Sequence, residues 1–166
     1  MSKTVLSNSV LINAPKAKVW EVLADIGNVS KLSKGVVKSY LTSDKKNGLD
    51  ATRHCDLAQF GAQVEERITA WKEGESMTIN IYERKNLPLM VDVNGSFELK
   101  EEGDKTRLIG VFEYKMTNFI GTIMNTFVMK PANKKGWRSF LAGVKHHIET
   151  GEEITSNTKV DLSQVK

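Results

Sequence analysis

Residues 50–70 alternate apolar and polar side chains with a period of two, interrupted around Gln59 and Phe60. The alternation predicts a β-hairpin folded at that point. So folded, Ala51 faces Ile68, Cys55 faces Val64 and Leu57 faces Ala62, all on one face. On the other face Thr52 meets Arg67, His54 meets Glu65 and Asp56 meets Gln63, a wholly polar set. A slip of one residue would mix the two sets, so the pattern fixes the parity. One pair departs from it: Arg53 falls opposite Glu66, amid Ala, Ile, Cys and Val. Burying two ions costs several kcal/mol each in desolvation, only partly recovered by their attraction. Two readings are open: a polar anchor inside an apolar cavity, or a structural ion pair at a partly wet sheet margin.

The same patterning extends in both directions. Residues 3–12 read as a strand, Asn13-Ala14-Pro15 as the start of a helix carrying Val19, Trp20, Leu23 and Ile26, and residues 25–33 as a break and a second short helix. Residues 36–42 form the next strand, and residues 43–48 the turn into the hairpin. A turn at Lys72-Glu73-Gly74-Glu75 leads to a strand over 76–83, with Met77 expected against Ala70, Ile79 against Ile68 and Ile81 against Glu66, and Tyr82 pointing out. Residues 84–89, with Pro88, read as a loop or edge. Residues 90–100 and 105–116 make a further hairpin about Glu102 and Gly103. Its expected pairs are Leu99–Thr106, Phe97–Leu108, Val93–Phe112 and Val91–Tyr114, with Glu98 against Arg107 on the reverse face. Gly95 is expected opposite Gly110, leaving a hollow for a close helix or a ligand.

The last third is helical. Ile120, Ile123, Met124 and Phe127, then Trp137, Phe140, Leu141, Val144 and Ile148, recur at spacings of three and four. Pro131 and Gly136 predict a kink near Lys130, and Gly151 a C-cap. Residues 1–151 are expected to form one domain and residues 152–166 a mobile tail.

Composition narrows the classes. A chain of 166 residues suits a single domain with a sizeable core. The net charge of +4 comes from Lys and Arg scattered among Asp and Glu, which argues against a nucleic-acid surface. Neither a secretory leader nor a bilayer-spanning run is expected; the most apolar run, residues 119–129, is short and carries Thr122, Asn125 and Thr126. The lone Cys55 forms no internal disulfide, consistent with a reducing cytoplasm, and its inward position suits an inert core thiol. His146 and His147 are adjacent on a helix and point about 100° apart, too far to share one metal. No phosphate-binding loop or Ser/Cys nucleophile motif is present, and neither metal nor cofactor is expected.

The order of strand, short helices, antiparallel strands and a long amphipathic helix calls for a curved sheet covered by that last helix. Beside that pattern, Asn13-Ala14-Pro15-Lys16-Ala17-Lys18-Val19-Trp20-Glu21-Val22-Leu23-Ala24-Asp25 resembles the opening of the START-like (SRPBCC) superfamily, in its polyketide cyclase/dehydrase and lipid-transport group. The likeness continues through residues 48–53, Val64-Glu65-Glu66-Arg67-Ile68 with Trp71, and Phe140-Leu141-Ala142-Gly143-Val144-Lys145 with Glu149. The resemblance implies an α+β helix-grip fold: a seven-stranded antiparallel sheet wrapped on the C-terminal helix, with a deep cavity between them. It implies an apolar or amphipathic ligand, such as a lipid, isoprenoid or polyketide, oriented by a few polar groups. Arg53 and Glu66 stand where such groups would be, and Tyr114 is a third candidate. The remaining expected lining is Cys55, Val64, Ile68, Ile79 and Ile81 from the middle strands, Phe112 from the last strand, and Trp137, Phe140, Leu141 and Val144 from the helix.

Three function classes follow. The first is a non-catalytic carrier or sensor. The second is a cyclase or dehydratase using Glu66 as acid or base and Arg53 to stabilise an enolate or oxyanion. In that reading burial raises the Glu66 pKa and Arg53 lowers it, so the two effects oppose each other. The third is a protein-interaction module, for which residues 119–129 would supply an apolar patch. The same segment would also serve as a lid or a lipid-facing entrance.

Overall fold

A computed structural model describes residues 3–87 and 89–166; the expectation for Pro88 lies outside the described residues. Seven antiparallel strands form one sheet: β1 (Lys3–Ile12), β2 (Val36–Leu41), β3 (Thr52–Leu57), β4 (Gln63–Lys72), β5 (Ser76–Lys85), β6 (Met90–Glu102) and β7 (Lys105–Met116). Their order is β1-β7-β6-β5-β4-β3-β2, so the first strand lies against the last and β1 and β2 are the two edges. Helix α1 (Lys16–Ala24) and a 3-10 turn (Ile26–Lys31) connect β1 to β2. A helical run then crosses the inner face: α2 (Phe119–Met124), a π-helical turn (Asn125–Met129) and α3 (Lys130–Thr150). The predicted kink is this π turn, which directly precedes Pro131, a residue that cannot donate the regular helical hydrogen bond to the turn before it. Gly136 continues the helix rather than interrupting it, and Gly151 caps it at φ 79°.

The hairpin at the centre has the predicted register. Thr52, Arg53, His54, Cys55 and Asp56 pair with Arg67, Glu66, Glu65, Val64 and Gln63. Backbone bonds tie Leu57 to Ala62 and Ile68 to Ala51. Two other registers differ from expectation. Between β4 and β5, Ile68 meets Ile79 and Glu66 meets Ile81 as expected, but a bulge between Ile68 and Ala70 puts Met77 opposite Trp71 instead of Ala70. Trp71 thereby packs on the core, its ring 4.8 Å from that of Trp20. Glu73 accepts both indole N–H groups, at 2.7 Å from Trp20 and 2.8 Å from Trp71.

The β6–β7 register is two residues away from the expected one. Leu99 meets Leu108, Phe97 meets Gly110, Gly95 meets Phe112 and Glu98 meets Ile109. Val91 pairs with Lys115 after an irregularity between Val91 and Asn94. The cause is the turn: Glu102 pairs with Lys105, and Gly103 takes the first central position of a two-residue turn at φ 67°. A shift of two preserves the faces but separates the glycines. Arg107 pairs with Glu102 instead of Glu98. Over Gly110 the final helix packs closely, with Trp137 Nε1 donating to the Gly110 carbonyl at 3.1 Å.

Residues 152–166 are not a free tail. Ile154 and Val165 are buried, and Ser9 and Lys166 exchange two backbone hydrogen bonds beside β1. Arg138 donates to the carbonyls of Leu162 and Val165 at 2.8 and 2.9 Å. The separated apolar residues Ile154, Val160, Leu162 and Val165 suffice to dock an extended segment, which has no helical or strand period to betray it.

Candidate functional site

Arg53 is 8% exposed and lies on the inner face, as β3 alternation requires. Its Nε donates to Glu66 Oε2 at 2.5 Å, and its Nη1 donates to the Ile26 carbonyl at 2.9 Å. The 3-10 turn thus supplies a third partner for the pair. Cys55 Sγ donates to the same Glu66 oxygen at 3.5 Å. Burial disfavours the Arg53 charge, but Glu66 and Cys55 together more than offset it and hold the guanidinium above its ordinary value. Burial, and then the Glu66 charge, push the Cys55 thiol far above the usual range, so it stays protonated and a poor nucleophile.

This cluster forms the polar wall of a partly enclosed cavity of about 130 Å³. Facing it are Phe97, Phe112, Trp137 and Phe140, with Ile79 and Ile81 alongside. A second void of about 20 Å³ shares Arg53, Ile79, Phe97 and Phe140. The space is much smaller than the deep cavity the resemblance implies, because aromatic rings fill it. Trp137 stacks on Phe97, Phe112 and Phe140 with centroids 5.5, 5.4 and 5.6 Å apart. Ligand pockets usually span roughly 300–1,000 Å³. A larger groove of about 820 Å³ runs along α1, but it is open and edged by Lys18, Glu21, Lys31 and Glu73.

The structure gathers eight of the expected site residues around the cavity: Arg53, Cys55, Glu66, Ile79, Ile81, Phe112, Trp137 and Phe140. It places the others elsewhere. Val64 packs with Cys55 and Val29 behind the wall, and Ile68, Leu141 and Val144 belong to the main core. Tyr114 is fully buried, and its hydroxyl donates to Asn125 Oδ1 at 2.6 Å. It therefore secures the π turn rather than facing a ligand. Val29, Val36, Leu57, Val93, Gly95 and Phe97 also line the cavity, beyond the expected set. Val29 and Val36 come from the 3-10 turn and the edge strand, whose approach to Arg53 only the tertiary fold reveals. Asn125 does carry a signal in the sequence: an amide within an apolar helical run needs a buried partner.

A curved antiparallel sheet gripping a long C-terminal helix, with a polar pair in the apolar space between, defines a START-like protein. The sequence model of the family described as polyketide cyclase / dehydrase and lipid transport matches residues 3–149, and the chain belongs to that family. Solved structures share the fold at low identity. The protein TTHA0849 of Thermus thermophilus aligns at 16% identity and TM-score 0.74, covering 89% of this chain and 99% of its own. Ginseng (Panax ginseng) major latex-like protein 151 aligns at 15% identity and TM-score 0.71, covering 90% and 97%. Ara h 8.0201 aligns at 11% identity and TM-score 0.71, covering 90% and 99%. No curated protein matches the sequence.

Proposed function

We propose that the protein is a carrier or sensor that binds an apolar or amphipathic small molecule, of lipid, isoprenoid or polyketide character, between the sheet and α3. The observation that supports it most is the Arg53–Glu66 pair in the wall of an otherwise apolar, aromatic-rich cavity. A core under selection for stability alone would do as well with two hydrophobes at these positions. The aromatic lining offers the ligand's body apolar contact, and the pair offers its polar end a donor and an acceptor. Entry of a ligand larger than the present cavity displaces Trp137 or Phe140. No described helix is long and apolar enough to cross a membrane. The lone reduced Cys55 suits a cytoplasmic setting.

A second reading, a cyclase or dehydratase, draws on Glu66 reaching the cavity beside a cation that would stabilise an enolate. Carriage is preferred because one Glu66 oxygen is already committed to Arg53 and Cys55.

The test is titration with a dansyl-labelled fatty acid of the native protein and of Gly95→Leu. A Cβ at Gly95 meets only Trp137, at 3.6 Å, so the added atoms occupy the cavity. Saturable binding lost in Gly95→Leu, with an unchanged circular dichroism spectrum, supports the reading. Binding that Gly95→Leu leaves intact excludes this cavity as the site.

A further inference from the structure

We infer that α2 and the π turn form a docking face for the surface of an anionic lipid bilayer. The inner side of this segment is pinned. Asn125 is buried, accepts from Tyr114 and donates to Thr4 Oγ1 at 2.9 Å, and Asn118 Oδ1 caps α2 through the Gly121 N–H at 2.7 Å. The outer side is apolar. Phe119 is 76% exposed, Ile120 68% and Phe127 77%, with Ile123, Met124 and Val128 also exposed. Scattered exposed hydrophobes are ordinary, but six within ten consecutive positions held on one fixed helical segment form a patch.

The charge that follows it along the chain has one sign. Lys130, Lys134 and Lys135 follow directly, are exposed and have no ion-pair partner among the described residues. No Asp or Glu occurs between Glu113 and Glu149. Apolar side chains that insert at the headgroup boundary, next to lysines that meet anionic headgroups, are the composition of an interfacial helix. A second copy of this chain fits less well, because a two-fold contact would bring the same lysines together. The patch is a helix surface rather than a groove; none of the hollows described above is lined by its residues.

Leu89, after β5, lies 3.6 Å from where a Cβ on Gly121 of α2 would stand, and Asn86 donates to the Gly61 carbonyl of the β3–β4 turn at 3.2 Å. That turn displays Phe60, 84% exposed. The π turn ends at Met129, which packs against the same buried cluster of Met90, Val93 and Tyr114 as Ile81 and Phe112 of the cavity wall, so the docking face lies one layer from the ligand site. Docking does not depend on the cavity being filled.

The test is flotation of the full chain with vesicles of phosphatidylcholine alone or mixed with phosphatidylglycerol, at low and high salt. Expected is binding to the mixed vesicles at least about tenfold above that to phosphatidylcholine, weakened by salt. The variants Phe127→Ser with Ile120→Ser, and Lys134→Glu with Lys135→Glu, should each lower it about tenfold or more. Their side chains are exposed, so folding survives, which circular dichroism checks. Lys46→Glu, at the other end of β3, should have no effect. The inference is overturned if no vesicle is bound, if binding ignores these variants, or if sedimentation shows a dimer that Phe127→Ser dissolves while vesicles remain unbound.

Discussion

Arg53 and Glu66 face each other across β3 and β4 with their charges 2.5 Å apart, on the side of the sheet that α3 covers. Breaking a buried pair by removing one partner costs about 3–5 kcal/mol, whereas replacing both with hydrophobes is often neutral. Arg53→Met and Glu66→Gln should each lower stability in urea by about 2–4 kcal/mol. Arg53→Met with Glu66→Leu should recover most of that loss, yet bind the dansyl fatty acid less tightly. If the double variant is stable and binds as the native protein does, the pair has no role in recognition.

Two glycines of the final helix provide opposite expectations. A Cβ on Gly143 would stand 2.3 Å from the Leu32 carbonyl oxygen, which is backbone and cannot move aside cheaply. Gly143→Ala should therefore destabilise by roughly 2 kcal/mol or more. Gly136 has open space around it, so Gly136→Ala should stabilise by about 0.5–1 kcal/mol through helix propensity. Urea unfolding of both variants checks the close contact between α3 and the loop before β2.

His54 lies on the outer face between Glu65 and Asp56 and stacks on Tyr40 at 5.0 Å. The Glu65 hydrogen bond, aided by Asp56 and opposed by burial, raises its pKa above the ordinary 6.5. A raised folded-state pKa means that protonation favours folding. The contribution is complete below pH 6.5 and is lost as pH rises through the higher folded value. The melting temperature should fall over that window in the native protein and less in His54→Gln. An equal slope in both would remove His54 as the cause.

Cys55 should resist alkylation. Its burial and raised pKa leave almost no thiolate, so maleimide labelling of the folded protein should proceed only through opening. A labelling rate that tracks added denaturant agrees with this. Rapid labelling in buffer would mean that the cavity opens freely to water.

The hairpin around Arg53 and Glu66 is legible in the sequence because strict alternation leaves only one parity, and the ion pair stands out as its one exception. The helical stripe and Gly151 cap are equally plain. Parity alone does not set register: the β6–β7 pairing depends on which turn position Gly103 occupies, and the shift of two residues keeps the faces from Asn94 to Glu102, while the irregularity beyond Asn94 turns Met90 rather than Val91 inward. Tyr114 is indistinguishable by pattern from a lining residue, since it shares the alternation of Phe112; only the Asn125 amide across the fold separates their roles. The cavity's small volume is also hidden, because it depends on how Phe97, Phe112, Trp137 and Phe140 stack. Docking of residues 152–166 rests on a few isolated apolar contacts and backbone bonds to Ser9, which carry no periodic signal.

The most direct measurement is native mass spectrometry of the freshly purified protein, before and after incubation with a total lipid extract, followed by solvent extraction of what is bound. The account predicts a one-to-one adduct of an apolar or amphipathic molecule that native protein retains and Gly95→Leu does not. Bare protein mass under both conditions, or an adduct that Gly95→Leu keeps unchanged, would contradict it.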